Sequence, residues 1–200
     1  MKDGDLLLID AGAEFDYYTA DITRTFPVNG TFSSAQRDVY EAVLQAQKAS
    51  IAGSIVGATK DEVHQISVRS LTQSLIDLGV LGGTVDENVE KETYKAFYMH
   101  GTGHWLGMDV HDVGLYYADG KPVPYESGTV TTVEPGLYFG MGEEIPEAFR
   151  GIGIRIEDDI LTTENGPVNL TEQVPTGVNE IEALCAEASA LESMVPTLPR

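Results

Sequence analysis

Three of the four histidines in this 200-residue chain lie in one short stretch, FYMHGTGHWLGMDVHD, at residues 97–112. They are His100, His104 and His111, and the only tryptophan, Trp105, lies among them. Histidine is the commonest side-chain ligand of transition metals and the side chain best suited to proton transfer near neutral pH. This histidine stretch is therefore a candidate site, provided that other segments supply chemical partners for it.

Acidic partners are predicted in a first hairpin near the start of the chain. Leu6–Ala11 and Tyr18–Phe26 have the composition of strands and flank a polar turn. A hairpin that is symmetric about the middle of this turn places Asp10 directly opposite Asp21. Because opposed like charges destabilise a sheet, the pair indicates a divalent cation between them; the alternative is chance opposition on a solvated sheet.

A second hairpin is predicted from Val130–Glu134 and Ile152–Ile160, where isoleucines alternate with charged residues. Symmetry about its connection places Glu134 opposite Glu157, although so long a connection fixes the register weakly. Four carboxylates and an imidazole form a donor set of first-row-metal type, and their charge balances two divalent cations. Such a site acidifies water and polarises a carbonyl or phosphoryl oxygen, so hydrolysis is the predicted reaction.

Other motifs fit the histidine stretch less well. His100 and His104 have the i, i+4 spacing of a zincin helix, but Thr102 and Gly103 stand where that motif needs a glutamate. The glycines are spaced one residue too widely for a dinucleotide fingerprint, and the chain has neither a nucleophile-elbow serine motif nor a Walker A motif. A structural role for the three histidines is the remaining alternative.

Helices are predicted to cover the hairpins. One is capped at Ser33 or Ser34, and a second opens with the capping box Thr59–Glu62 and ends at Gly79. His64 lies in the first turn of the second helix without neighbouring ligands, and we predict an ordinary surface residue there. Residues 86–98 are helix-compatible, residues 114–127 form a predicted loop, and an acidic helix is predicted over residues 180–193.

The composition predicts one soluble domain that binds neither nucleic acid nor membrane. The 12 basic and 32 acidic residues give a formal charge of -20, which repels a phosphate backbone. No apolar run is long enough to span a membrane, and the first residues do not form a signal peptide. The single cysteine, Cys185, is predicted to be buried or half-buried on a helix. It excludes an internal disulfide, which indicates a reducing compartment, so we expect a cytoplasmic protein.

With these candidates identified, the chain resembles the Xaa-Pro aminopeptidases (aminopeptidase P). They belong to the pita-bread-fold metallopeptidases, together with prolidases and methionine aminopeptidases. The resemblance spans nearly the whole chain and is carried by the segments IDAGAE, ADITRTFP, HGTGHWLGMDVHDVG, TVEPGLY and RGIGIRIEDDIL. It implies an α+β fold in which helices cover a curved antiparallel sheet.

The resemblance also implies a ligand set for two divalent ions. Asp10 would bind one ion, Asp21 and Glu157 would bridge the two, and His104 and Glu134 would bind the other. Manganese is the usual ion of the family, and Co²⁺ or Zn²⁺ are alternatives.

Catalytic roles follow from the same resemblance. His111 would contact the scissile carbonyl, and His100 would line the substrate pocket, which Tyr138 borders. Glu134 would transfer a proton to the leaving proline nitrogen as the general acid/base, and Arg155 would orient the carboxylates.

One feature departs from the family pattern, because members carry a long segment before the first metal aspartate, which here is residue 10. The expectation is a catalytic domain at residues 1–193 that lacks its N-terminal part, with a tail at 194–200. Bare apolar surface would then favour a homo-oligomer or a covering partner. The leading hypothesis is a dinuclear aminopeptidase that releases the residue before a second-position proline. The alternatives are a non-catalytic metal-binding or interaction module and a prolidase-type dipeptidase.

Overall fold

The structure is a computed structural model that describes residues 1–187. Its strands are β1 (Leu6–Asp10), β2 (Glu14–Phe15), β3 (Tyr18–Thr19), β4 (Thr23–Pro27), β5 (Tyr117–Ala118), β6 (Lys121–Pro122), β7 (Val130–Val133), β8 (Gly136–Tyr138), β9 (Gly153–Arg155), β10 (Asp158–Thr163) and β11 (Gly166–Asn169). Its helices are α1 (Ser34–Gly53), α2 (Lys60–Asp77), α3 (Val85–Glu90) and α4 (Val178–Ala186), with 3₁₀ turns at Thr93–Ala96 and Glu147–Phe149.

The predicted α+β class is confirmed, since every strand pair is antiparallel and the helices pack on the sheet. Helix α1 is capped by Ser33, one of the two predicted caps, and α2 by Thr59 of the predicted capping box, and Gly79 follows α2 with a φ of +72°. Their apolar faces bury side chains such as Val39 and Leu71 completely. Local hydrogen bonding thus sets the helix ends, and burial of one face holds the helices against the sheet.

The predicted register of the first hairpin is wrong by two residues. Asp10 lies opposite Thr23, not opposite Asp21. The turn is centred on Asp16 and Tyr17, whose φ angles of 51° and 71° are those of a two-residue hairpin turn with both central residues left-handed. A shift of two residues preserves the face of each side chain, so Asp21 becomes a diagonal neighbour of Asp10 on the same face.

The predicted register of the second hairpin is confirmed. Val133 pairs with Asp158 and Gly136 pairs with Arg155, which brackets Glu134 and Glu157 as predicted. The strand predicted over Val130–Glu134 is β7, and β8 follows it after Pro135, whereas the strand predicted over Ile152–Ile160 is divided into β9 and β10. Proline 135 explains the interruption, because it has no N–H to donate to the ladder.

Two bridges join these hairpins and the histidine stretch into one surface. Thr23 bridges to Glu157, which places the first hairpin beside the second. Trp105 bridges to Thr131, so the histidine stretch runs antiparallel to β7 along its free edge. The surface therefore carries Asp21, Glu157 and the histidine stretch on adjacent segments.

The remaining expectations are met in part. Residues 86–98 form α3 and then a 3₁₀ turn, separated at Glu92, which has a φ of 53°. The predicted loop at 114–127 contains the short β5–β6 pair. Cys185 is half-buried on α4, as predicted. The rest of the helix predicted over 180–193, the domain boundary at 193 and the tail at 194–200 lie outside the described residues. Within residues 1–187, no helix has the length and apolar character needed to cross a membrane.

Candidate active site

Asp21, His104 and Glu157 form the tightest group of potential metal ligands. Each offers one ligand atom, and these atoms lie within 4.8 Å of one another. His104 Nε2 is 3.4 Å from Asp21 Oδ2, and Glu157 is 1% exposed. A first-row metal ion accepts such a mixed set of two carboxylates and one imidazole.

Each of these residues is held, through its side chain or its main chain, by a neighbour outside the predicted ligand set. His104 Nδ1 lies 3.0 Å from the Trp105 carbonyl oxygen, and since that oxygen can only accept, Nδ1 carries the proton and Nε2 faces the carboxylates. The Thr23 hydroxyl donates to Glu157 Oε2. The Asp21 main-chain N–H donates to the Asp159 carboxylate at 3.2 and 3.3 Å.

Glu134 and Asp10 flank this group. Glu134 Oε1 is 3.6 Å from His104 Nε2 and accepts a hydrogen bond from Thr132 Oγ1 at 3.3 Å. Asp10 Oδ2 is 2.5 Å from Arg155 Nη2, on the opposite side. The structure therefore brings all five sequence-predicted ligands to one place, three of them tightly and two at the margins.

Arg155 lies beside the carboxylates of this group and projects from β9 between the two hairpins. Besides Asp10, it contacts Thr23 Oγ1 through Nε at 3.1 Å and Tyr138 Oη through Nη1 at 3.4 Å. Its Nε is 3.9 Å from Glu157 Oε2. One guanidinium is thus held among several carboxylates whose summed charge it does not balance.

The electrostatics of the carboxyl groups fit the addition of cations. Burial, reinforced by the neighbouring acids, raises the pKa of Glu157 to about 8 and that of Glu134 to about 7. Burial and then the adjacent Asp10 also raise the pKa of Asp21. Buried acids this close together resist ionisation until positive charge is brought between them. The donor types, their convergence and their excess negative charge therefore fit divalent metal ions.

The remaining sequence-predicted site residues line the open side of the group. His100 Nε2 is 2.8 Å from Tyr138 Oη, which ties the histidine stretch to β8. The ring of His111 is exposed and stands edge-on to the ring of His104, with centroids 4.3 Å apart. His100, His111 and Tyr138 thus surround the ligands without belonging to the closest set.

Comparison with known proteins agrees with this arrangement. Residues 1–164 match the description "Metallopeptidase family M24". The chain belongs to this family. It is 52% identical over 184 residues to the Xaa-Pro aminopeptidase of Haemophilus influenzae, and 51% identical over 188 residues to that of Escherichia coli. These alignments include 92% and 94% of the chain, respectively.

Solved structures of family M24 members show the same fold. Pseudomonas aeruginosa aminopeptidase PepP superposes with a TM-score of 0.91 at 52% identity over 93% of the chain. Escherichia coli aminopeptidase P superposes with a TM-score of 0.88 at 51% identity over 92% of the chain. The predicted pita-bread fold is therefore confirmed. The chain spans about 42–43% of the length of these relatives.

Membership in family M24 places the chain in a family of hydrolytic metalloenzymes. The Asp21, His104 and Glu157 group is a possible site for the divalent metal ions that such enzymes use. The relatives at 51–52% identity are named for action on peptides that begin Xaa-Pro.

His64 was wrongly predicted to be an ordinary surface residue. Its Nδ1 is 2.9 Å from Thr102 Oγ1, its ring packs against Tyr98, and burial lowers its pKa. The carbonyl oxygen of Thr102 accepts a hydrogen bond from the main-chain N–H of Glu134 at 2.7 Å. Through Thr102, His64 therefore supports the segment that contains Glu134, a predicted ligand. The signal was available, because His64 lies one helical turn before the buried Val68.

Three other supporting residues were not predicted from the sequence. Thr23 contacts Glu157 and Arg155, and strand alternation places it on the face of Asp21. Asp159 accepts the Asp21 N–H, and Arg24 donates to the Glu157 carbonyl. The Arg24 and Asp159 contacts depend on how the hairpins pack side by side, for which the local sequence carries no signal.

Proposed function

We propose that this chain carries the dinuclear metal centre of an Xaa-Pro aminopeptidase and releases the first residue of peptides whose second residue is proline. The carrying observation is the convergence of Asp21, His104 and Glu157, flanked by Asp10 and Glu134. The chain also belongs to family M24 and is 51–52% identical to Xaa-Pro aminopeptidases. Aminopeptidase activity is therefore the function that these observations support best.

The ligand assignment follows the positions of the carboxylates. Asp10, Asp21, His104, Glu134 and Glu157 are the residues that would hold two divalent ions, the set that the resemblance to Xaa-Pro aminopeptidases implies. Manganese is the proposed native ion, because four carboxylates and one imidazole suit a hard divalent cation. When bound, the two ions would polarise the scissile carbonyl and make a water molecule more acidic.

Glu134 is the proposed general acid/base. The leaving nitrogen is the ring nitrogen of proline, which carries no hydrogen in the peptide and must gain a proton as the bond breaks. Glu134 lies at the margin of the ligand group with its carboxylate held by Thr132, where it can take a proton from the attacking water and deliver it to that nitrogen.

His111 and His100 act on the substrate. The exposed ring of His111, next to His104, is placed to donate a hydrogen bond to the carbonyl oxygen as that oxygen gains negative charge. His100 and Tyr138, joined by their hydrogen bond, form the wall against which the peptide is held. Arg155 keeps Asp10 and Tyr138 in place through its two contacts.

The test is peptide hydrolysis by the manganese-loaded protein. An Xaa-Pro-Xaa tripeptide should lose its first residue, Glu157→Ala should abolish the release, and Glu41→Ala, at an exposed acid on α1, should leave it unchanged. Metal binding without release would instead indicate a non-catalytic metal-binding or interaction module. Cleavage of Xaa-Pro dipeptides but not of the tripeptide would indicate a prolidase-type dipeptidase.

Two further points belong to the same proposal. The chain is cytoplasmic, for which the single cysteine is the supporting observation. It forms a homo-oligomer or binds a covering partner through β1, where Ile9 is 44% exposed and Leu6 to Leu8 are only half-buried. Light scattering measures the mass in solution and so tests self-association. A monomeric mass would exclude the homo-oligomer and leave a covering partner as the remaining proposal.

A further inference from the structure

Lys60 is a half-buried cation beside the histidine stretch. It is the first residue of α2, and its Nζ lies 4.0 Å from the centre of the Tyr116 ring. A β-carbon added at Gly101 would lie 3.9 Å from Lys60 Cε and 4.0 Å from Nζ. The ammonium group therefore stands over the main chain next to His100, on the substrate-facing wall of the candidate site.

This position is unfavourable for a cation. The N-terminus of a helix carries partial positive charge, which repels an ammonium group in the first turn. Burial lowers the pKa of Lys60, which also disfavours the charged form. The Tyr116 ring offsets part of this through a cation–π contact.

No carboxylate forms an ion pair with Lys60 within the part of the chain that the structure describes, and Asp61 and Glu134 act on its charge only from beyond ion-pair distance. Over residues 1–187, no acidic oxygen lies within 4.0 Å of Lys60 Nζ, although the chain has 32 acidic residues and only 12 basic ones. By contrast, Arg155, which also lies beside the candidate ligands, is paired with Asp10. Because Lys60 forms no ion pair and lies on the substrate-facing side, its charge is available for an anionic ligand.

We propose that Lys60 binds the C-terminal carboxylate of short peptide substrates, an inference that rests on the proposed aminopeptidase function. An aminopeptidase holds one residue on one side of the scissile bond and the rest of the peptide on the other. Two extended residues span about 7 Å, so the carboxylate of an Xaa-Pro-Xaa tripeptide remains close to the metal centre. Lys60, over Gly101, is the cation placed to receive it.

Charge also sets the direction of the peptide. The carboxylate group around Asp10 and Asp21 attracts the substrate's terminal ammonium, which Lys60 repels, whereas Lys60 attracts the terminal carboxylate, which the acidic hairpins repel. The two ends of a short peptide are thus drawn to opposite sides of the site. Lys60 therefore acts as a specificity residue that favours short peptides with a free C-terminus.

Binding and cleavage test this inference separately. Calorimetry would compare the dipeptide Pro-Leu with Pro-Leu amide, which differ only at the terminal carboxylate and lack a proline in second position. The wild-type protein should bind the free acid about two- to fivefold more tightly, a preference typical of one partly exposed charge pair, and added salt should weaken it. Equal binding of the two ligands, or binding of neither, would overturn the inference.

Variants assign the preference to Lys60. Lys60→Met should bring the acid-to-amide ratio close to one without changing amide binding, and Lys60→Arg should retain most of the preference. Lys48→Met, at an exposed position on α1, should leave the ratio unchanged. A ratio that survives in Lys60→Met contradicts the inference.

Tripeptide hydrolysis then distinguishes the two proposals. With Xaa-Pro-Leu and its amide, Lys60→Met should raise KM for the free acid alone and leave kcat unchanged, because the lost contact is made equally in the ground and transition states. Absence of cleavage by the wild type, with the binding preference intact, would refute the aminopeptidase function and retain the carboxylate site.

Discussion

The Nη1 atom of Arg24 donates a 2.6 Å hydrogen bond to the main-chain carbonyl oxygen of Glu157. The same guanidinium forms a buried ion pair with Asp158 at 2.7 Å, and Asp158 also accepts hydrogen bonds from Gln47 and Thr171. The main chain of a candidate metal ligand is thus held by a buried cation that is fully enclosed by acceptors.

Loss of this cation should be strongly destabilising. Arg24→Met leaves the carboxylate of Asp158 buried without its cation, and such changes typically lower the free energy of unfolding by about 3–5 kcal/mol. Urea denaturation measures the effect. The control is Arg69→Met, which breaks the exposed Arg69–Asp86 pair and should cost less than about 1 kcal/mol. Similar losses in both variants would show that the buried pair has no special role.

Metal binding should stabilise the folded protein through the ligand group. Mn²⁺ at 100 times its Kd adds about 2.7 kcal/mol, which raises Tm by roughly 5–10 °C for a chain of this length. Glu157→Gln should remove most of this shift, while Glu41→Gln should retain it. Thermal scans with and without a chelator measure the shift, and an equal shift in Glu157→Gln would place the metal elsewhere.

The metal-free protein should lose stability as the pH rises from 7 to 9. The pKa of Glu157 is raised to about 8 in the folded chain, from an ordinary value of 4.5, so the folded state binds the proton more tightly than the unfolded state. Stability is therefore greatest below the unfolded pKa and declines as the pH passes through the folded pKa. Chemical denaturation in a chelator at pH 7, 8 and 9 measures the trend, and Glu157→Gln should flatten it.

Substitution of His111 should affect catalysis and not metal binding. Its ring adjoins His104 without belonging to the closest ligand group, so His111→Ala removes a donor to the carbonyl oxygen alone. Loss of one such donor typically lowers kcat by about 10²–10³-fold. Tripeptide hydrolysis and metal titration would be measured together. Loss of stoichiometric metal binding in His111→Ala would make this histidine a ligand.

Gly103 should tolerate no side chain. A β-carbon there would lie 2.0 Å from the Thr132 carbonyl oxygen, which would push the histidine stretch off β7 and displace His104. Gly103→Ala should therefore lower both stability and metal affinity. Gly82→Ala is the control, because a β-carbon at Gly82 meets nothing within 4 Å. Unchanged metal affinity in Gly103→Ala would show that the ligand position does not depend on this close approach.

The sequence predicted the helices and the identity of the clustered residues. The caps at Ser33 and Thr59 involve partners three residues away, so local chemistry alone specifies where α1 and α2 begin. The register of the second hairpin was predicted correctly by assuming symmetry about the middle of its connection. The register of the first did not, because the left-handed conformations of Asp16 and Tyr17 moved the turn by one residue.

Only the tertiary structure showed how the ligands are supported. The bridge and hydrogen bond from Thr23 to Glu157 join residues 134 positions apart, and the contact from Asp21 to Asp159 joins residues 138 positions apart. Such contacts depend on which hairpin packs beside which, and periodicity within one segment carries no information about that choice. For the same reason, the sequence could indicate the candidate metal ligands, whereas only the packing of α2 showed that Lys60 and His64 lie against the histidine stretch.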